Sequence, residues 1–197
     1  MTIASSPPAP PAPPAEDSWG VLDHLPGNPL MWVLILSELL VFGCFFAGFS
    51  AARAWHAAQF AADQNHLDRL SGGINTMILL TSGFAAAAAT RAVVLARRRA
   101  CRLWLLAAGL LGLGFLAVKA SEYAAALAQG FTLDGSPFFT LFYLMTGFHA
   151  LHVVLGLVLL AIAAWKPSPA NVETMTAFWH MVDLIWVLLY PIVYLIR

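Results

Sequence analysis

Charge is what this chain has least of. Only 10% of its 197 residues are Asp, Glu, Lys or Arg, and the formal net charge is zero. Soluble globular domains carry about a quarter charged residues. The zero balance also gives no electrostatic footprint for nucleic acid or for an acidic soluble partner. Cysteine is scarce. Cys44 lies within an apolar run and Cys101 in an arginine-rich turn, so neither a CxxC site nor a disulfide is expected. Lys and Arg are missing from the first 52 residues. The opening stretch SSPPAPPAPPAED therefore lacks the basic region of a signal peptide. Its Pro/Ala composition cannot build a packed core, so residues 1–28 are expected to form a disordered tail and lead-in. No internal repeat is visible, which argues against a free-standing transporter.

What is present in excess is apolar sequence. Hydrophobic residues make up 60% of the chain, and runs long enough to cross hydrocarbon, roughly 20 residues each, recur from residue 29 onward. Five spans are expected, over 29–54, 72–96, 102–128, 138–165 and 174–196. The first opens with Asn28 as N-cap and Pro29 at the first helical position. The second follows the Ser71-Gly72-Gly73 break, and Lys166-Pro167-Ser168-Pro169 separates the last two. The fold class is all-α, a polytopic membrane helical bundle with five transmembrane helices over residues 29–197. Arg91, Arg97, Arg98, Arg99, Arg102 and Lys166 lie toward the side of the N-terminus, against Arg53, Arg69 and Arg197 on the other. The positive-inside rule then places the N-terminus in the cytoplasm. Trp32, Trp55, Trp104 and Trp165 fall near span ends, as in an interfacial belt. Gly43/Ala47, Gly109/Gly112, Gly147/Gly156 and the run Ala85–Ala89 suit close helix packing.

Against this background six ionisable side chains stand out inside the spans: Glu38, Glu122, His149, His152, His180 and Asp183. Intramembrane charge is costly, and such residues usually face the protein interior and serve a purpose. His149/His152 and His180/Asp183 are i,i+3 pairs, each on one helix face. At 1.5 Å per residue, Glu38 lies about 14 Å along span one, and His180 and Asp183 about 9 and 14 Å along span five. On the same scale His149 and His152 lie about 14 and 9 Å above that membrane face, while Glu122 is about 30 Å along span three. The expectation is one buried, proton-linked polar cluster of Glu38, His149, His152, His180 and Asp183. Separate from it, Lys119 and Glu122 would form an outer ion pair, with Lys119 snorkelling outward. Arg97, Arg98, Arg99 and Arg102 are the candidates for lipid headgroup contact.

The residue types leave three readings of the cluster open. Imidazoles and carboxylates ligate metals, and two histidines could hold a haem. A buried Glu beside histidines can relay protons. Polar side chains also hydrogen-bond between helices and fix their register.

Longer motifs carry a resemblance. Span four contains Phe142-Tyr143-Leu144-Met145-Thr146-Gly147-Phe148-His149-Ala150-Leu151-His152-Val153, and span five contains Trp179-His180-Met181-Val182-Asp183-Leu184-Ile185-Trp186. Span one has Ser37-Glu38-Leu39, span two Asn75-Thr76 and Leu79-Leu80-Thr81-Ser82-Gly83, and span three ends in Glu122-Tyr123. In this order, over about residues 29–196, the set resembles subunit III of the haem–copper oxidases. The resemblance implies a non-catalytic accessory subunit of a respiratory terminal oxidase, in its short five-span form, in the bacterial inner (cytoplasmic) membrane. It would pack on a haem-containing catalytic subunit, hold no haem, copper or other metal, and bind structural phospholipid in a groove between spans one–two and three–five. Glu38 matches the family's buried Glu near the proton-uptake side, which implies support of proton uptake. Lys119 stands where the family usually has Gln. That substitution and Pro26-Gly27-Asn28-Pro29-x-x-Trp32 resemble a subgroup associated with nitric oxide reductases, which makes such a complex the other implied partner. An independent haem- or metal-binding membrane protein and a small transporter are the alternative readings.

Overall fold

The structure is a computed structural model that describes residues 29–196. The expected tail over residues 1–28, the Asn28 cap and Arg197 lie outside the described residues. Six α-helices follow in order: α1 (Pro29–Trp55), α2 (Ala57–Gln64), α3 (Arg69–Val94), α4 (Arg98–Ala128), α5 (Pro137–Trp165) and α6 (Pro169–Tyr190), the last continued by a π turn over Pro191–Leu195. All but α2 are long and apolar enough to cross a membrane, so the five expected spans are present. Their limits differ where local chemistry outweighs composition. Asp68 caps α3 by accepting from Leu70 N at 2.9 Å, so Gly72 and Gly73 lie inside the helix rather than before it. Ser168 caps α6 by accepting from Asn171 N at 3.2 Å. With Pro169 at the first helical position, α6 starts five residues earlier than hydropathy suggests.

The ends are closed by backbone geometry. After α3 the chain turns at Ala96, whose φ of 57° is left-handed. Arg97 N then bonds Ala92 O at 2.9 Å and Ala96 N bonds Val93 O at 3.0 Å, a Schellman closure. Gly130, φ 85°, ends α4 in the same way. Pro191 has no N–H to donate, and the last turn of α6 widens so that Ile196 N bonds Pro191 O. Gln64 of α2, 3% exposed, donates to Val193 O at 2.8 Å and Ile196 O at 3.1 Å. Both Val193 and Tyr194 are fully buried as a result.

Helices α3, α4, α5 and α6 form a closed ring in which each packs on its two neighbours, while α1 rests chiefly on α6 and α5. The expected groove between spans one–two and three–five is not one continuous opening: clefts lie between α3 and α6 and between α1 and α6. Span two, α3, is bound most extensively to α4 and α6, and α1 alone stands apart. The centre of the ring is Trp179, seated where Gly112 and Gly156 leave room. A Cβ on Gly112 would fall 2.7 Å from the indole, and one on Gly156 would fall 2.6 Å from it. Gly43 and Ala47, expected at a packed face, are exposed, and a Cβ on Gly43 would meet nothing within 4 Å. Ala85, Ala86 and Ala89 are buried. Hydrogen bonds join the helices without water's help, as a bilayer requires. Ser82 Oγ donates to Ala108 O at 2.8 Å and accepts from Trp179 Nε1 at 3.1 Å. Trp186 Nε1 donates to Thr76 Oγ1 at 3.0 Å, and Asn75 Nδ2 to Phe115 O at 3.3 Å.

Candidate functional site

The ionisable side chains within the spans fall into four places, not two. The first joins α1 to α5. His152 Nδ1 donates to Phe148 O, one turn back, at 2.8 Å. That bond fixes the proton on Nδ1, so Nε2 faces Glu38 Oε2 at 3.0 Å across the helix interface. A hydrogen bond at this contact needs one proton, on Nε2 or on the carboxyl. The Phe42 ring stands over His152 at 5.5 Å and Phe148 at 4.6 Å, which keeps the pair in an apolar wall. Glu38 retains 21% exposure of its side chain.

The second place lies on α6. His180 Nδ1 is 3.7 Å from Asp183 Oδ2, beyond direct hydrogen-bond range. Asp183 is 7% exposed, and its Oδ1 has no hydrogen-bond partner among the described residues. The carboxyl presses on α3 at Gly83, where any side chain would collide with it. Because α6 begins at Pro169, His180 and Asp183 lie about 17 and 21 Å along it, deeper than a start at 174 gives.

His149 occupies the third place by itself. Its ring is fully buried and packs between Phe42, Phe115 and Trp186, at 6.4, 5.6 and 5.2 Å. Neither ring nitrogen has a partner among the described residues. The expected single cluster of Glu38, His149, His152, His180 and Asp183 is thus divided. Glu38 meets His152, His180 lies beside Asp183, and no hydrogen bond or ion pair links these to one another or to His149. The physical reason is the i,i+3 offset. Three residues leave the two imidazoles about 60° apart on one face: Phe42 lies against both, but His152 reaches Glu38 while His149 lies among Phe115 and Trp186.

Lys119 and Glu122 make the fourth. Their ion pair is present, Nζ to Oε2 at 2.9 Å. Snorkelling is not: Lys119 is 2% exposed and points inward. Its Nζ also donates to Tyr194 OH at 2.9 Å, and that hydroxyl donates to Glu122 Oε1 at 2.6 Å. Rings of Phe142, Tyr123, Trp186 and Tyr194 surround the ammonium at 4.8, 4.9, 5.4 and 5.6 Å. Two charge-assisted hydrogen bonds and four ring faces replace the water that snorkelling would have reached. Tyr194 is the partner that sequence spacing could not reveal, because the π turn at Pro191 is what brings it inward. Ser136 is another. It caps α5 through Phe139 N and donates to Asp63 Oδ2 at 2.7 Å, tying α2 to the bundle.

Of the arginine turn, Arg97, Arg98 and Arg99 are exposed. Arg102, also exposed, donates to Ala164 O at 3.1 Å and Trp165 O at 3.5 Å, the open carbonyls at the end of α5. Among the described residues no group of three or more His, Cys, Asp or Glu is arranged to hold a metal ion.

Comparison with known proteins gives a consistent picture. The family profile described as "Cytochrome c oxidase subunit III" matches residues 28–196. "Cytochrome c oxidase subunit 3" of Thermostichus vulcanus is 32% identical over 189 residues, covering 89% of this chain and 92% of that protein. "Probable cytochrome c oxidase subunit 3" of Mycobacterium tuberculosis (strain ATCC 25618 / H37Rv) is 30% identical over 177 residues, covering 84% and 85%. "Cytochrome bo(3) ubiquinol oxidase subunit 3" of Pseudomonas putida is 25% identical over 174 residues, covering 84% and 83%.

Proposed function

The chain belongs to the cytochrome c oxidase subunit III family, and from that membership we propose that it is the non-catalytic accessory subunit of a bacterial respiratory terminal oxidase. It lies in the inner (cytoplasmic) membrane with its N-terminus in the cytoplasm. It docks on the haem-bearing catalytic subunit, stabilises it and supports its proton supply. The observation that carries this reading is the family match over the whole five-span domain. The internal pairing of its intramembrane groups supports it: Glu38 with His152, and Lys119 with Glu122 and Tyr194. Such pairs fix helix register and need no cofactor of the chain's own.

Affinity purification of the tagged chain from native membranes tests this. The expected product is a stoichiometric complex whose haem bands belong to a second, larger subunit. A chain that purifies alone with its own haem band, or that alone conducts solute flux in liposomes, would sink the reading. A nitric oxide reductase as partner is the second reading, supported by Lys119 in the place of the family's Gln. The identity of the co-purifying haem subunit decides between them.

Phospholipid belongs to the same proposal. An apolar cleft of about 210 Å³ between α4 and α5, lined by Leu106, Gly109, Leu110, Leu157 and Ala161, suits an acyl chain. The exposed Arg97, Arg98 and Arg99 at the start of α4 suit its phosphate. Stripping phospholipid from the purified complex is expected to loosen this subunit, and unchanged stability would count against the site.

A further inference from the structure

Glu173, Thr176, His180 and Asp183 follow one another along α6 at spacings of three, four and three residues, so they share one face. The lower part of that face lines a cleft of about 530 Å³ between α6 and α3, together with Thr90 and Arg91. Thr90 and Thr176 bridge its floor, with their hydroxyls 3.0 Å apart. The cleft lies where α3 ends and α6 begins, so its mouth is at the membrane face that carries the 95–97 turn. Its inner limit is His180, whose side chain is 45% exposed. Behind that imidazole sits Asp183, sealed against Gly83 and with Oδ1 unpartnered.

The arrangement is asymmetric in a way that matters chemically. A carboxyl with no hydrogen-bond partner at this depth is costly as an anion and inexpensive as a neutral acid. His180 touches both the open cleft and the carboxyl. Imidazole can accept a proton on one nitrogen and donate from the other. The other charged groups facing the cleft are Arg91 from α3 and Glu173 from α6, both toward the mouth. On the opposite flank of His180, Trp32, Ile35 and Leu39 of α1 line a second cleft.

We propose that the α3–α6 cleft is a proton inlet that loads Asp183 through His180. A proton from the cleft adds at Nε2, the ring swings to close the 3.7 Å gap to the Asp183 carboxylate, the N–H bond at Nδ1 breaks, and an O–H bond forms on Oδ2. Return of the ring to its first tautomer resets the step. The inlet deepens the reading of the chain as an oxidase subunit and rests on it only for the proton's destination. It is distinct from the Glu38–His152 pair, which lies on the α1–α5 side.

The test is infrared spectroscopy of the full chain, in its purified complex and in liposomes, following the carbonyl stretch of protonated carboxyls. A band lost in Asp183→Asn is expected to titrate with bulk pH and to shift on transfer to D2O. Ala177 lines the cleft beside His180, and Ala177→Leu is expected to slow that shift several-fold. Gly43→Ala, on α1 with nothing within 4 Å of the added Cβ, leaves it at the wild-type rate. If Asp183→Asn does not fold, isotope labelling of aspartate carboxyls in wild type and Ala177→Leu gives the same readout. An unchanged exchange rate in Ala177→Leu, or no titrating aspartic acid band, overturns the inlet. A chain that exchanges as expected but does not co-purify with a haem subunit overturns the oxidase reading and leaves the inlet standing.

Discussion

Lys119 is the residue at which composition and structure disagree most. An ammonium near the end of a span has water within reach, yet here it turns inward to Glu122 and Tyr194. Removing one partner of a buried pair leaves the other uncompensated, at a cost of about 3–5 kcal/mol. Lys119→Met should therefore lower the unfolding free energy of the detergent-solubilised chain by about that amount. Lys119→Met combined with Glu122→Leu should recover most of it, because no unpaired charge remains. Equal losses in the single and double variants would show that the pair contributes nothing to the fold. At Glu38 the prediction is functional. Gln keeps the size of the side chain but cannot share a proton with His152 Nε2. Glu38→Gln should assemble normally in the complex, while oxidase activity declines faster during sustained turnover. Identical decay in variant and wild type would remove Glu38 from any proton role.

Among the elements, α6 organises the rest. Its Trp179 fills the space left by Gly112 and Gly156, and its indole N–H reaches Ser82 on α3. A methyl group at residue 156 must displace a fully buried indole, and overpacking of this kind costs about 1–3 kcal/mol. Gly156→Ala should therefore destabilise the chain in thermal or SDS-titration unfolding. Gly43→Ala should not, since nothing lies near the added atom. The two glycines look alike in an apolar sequence. Only the neighbour across the interface separates them, which is why a small-residue pattern named one packed face correctly and the other wrongly. Helix starts were misplaced for a related reason. Hydropathy registers where hydrocarbon begins, whereas Asp68 and Ser168 cap their helices before that point.

The described residues form a four-helix ring with α1 laid on its edge and the short α2 against α5. Among the described side chains of α1, Ile35, Phe42 and Phe49 are the well-buried hydrophobic ones, and most of the others face outward. One polar attachment to the ring is the Glu38–His152 bond. Local opening is easiest where buried contacts are fewest. Amide hydrogen exchange of the isolated chain in detergent should show α1 exchanging ahead of α3–α6, with α1 gaining protection in the assembled oxidase. Uniform protection across all five spans in the isolated chain would contradict this hierarchy.

Several properties were settled by the sequence alone. Low charge and long apolar runs required a bundle of membrane helices, because helices satisfy their own backbone in lipid and the other solution, a closed barrel, needs strands of alternating polarity. The motifs along those runs were enough to indicate the family. The i,i+3 pairing of His180 with Asp183 and of Lys119 with Glu122 was also legible, since neighbours on one helix face are fixed by helical geometry. What the tertiary structure decided was every partner on a different helix: Glu38 with His152, Tyr194 with Lys119 and Glu122, Gly83 against Asp183, and the isolation of His149. Spacing along a helix sets direction around its own axis but says nothing of which neighbour stands there. That choice depends on how the helices pack and, for Tyr194, on a single proline that widens the last turn.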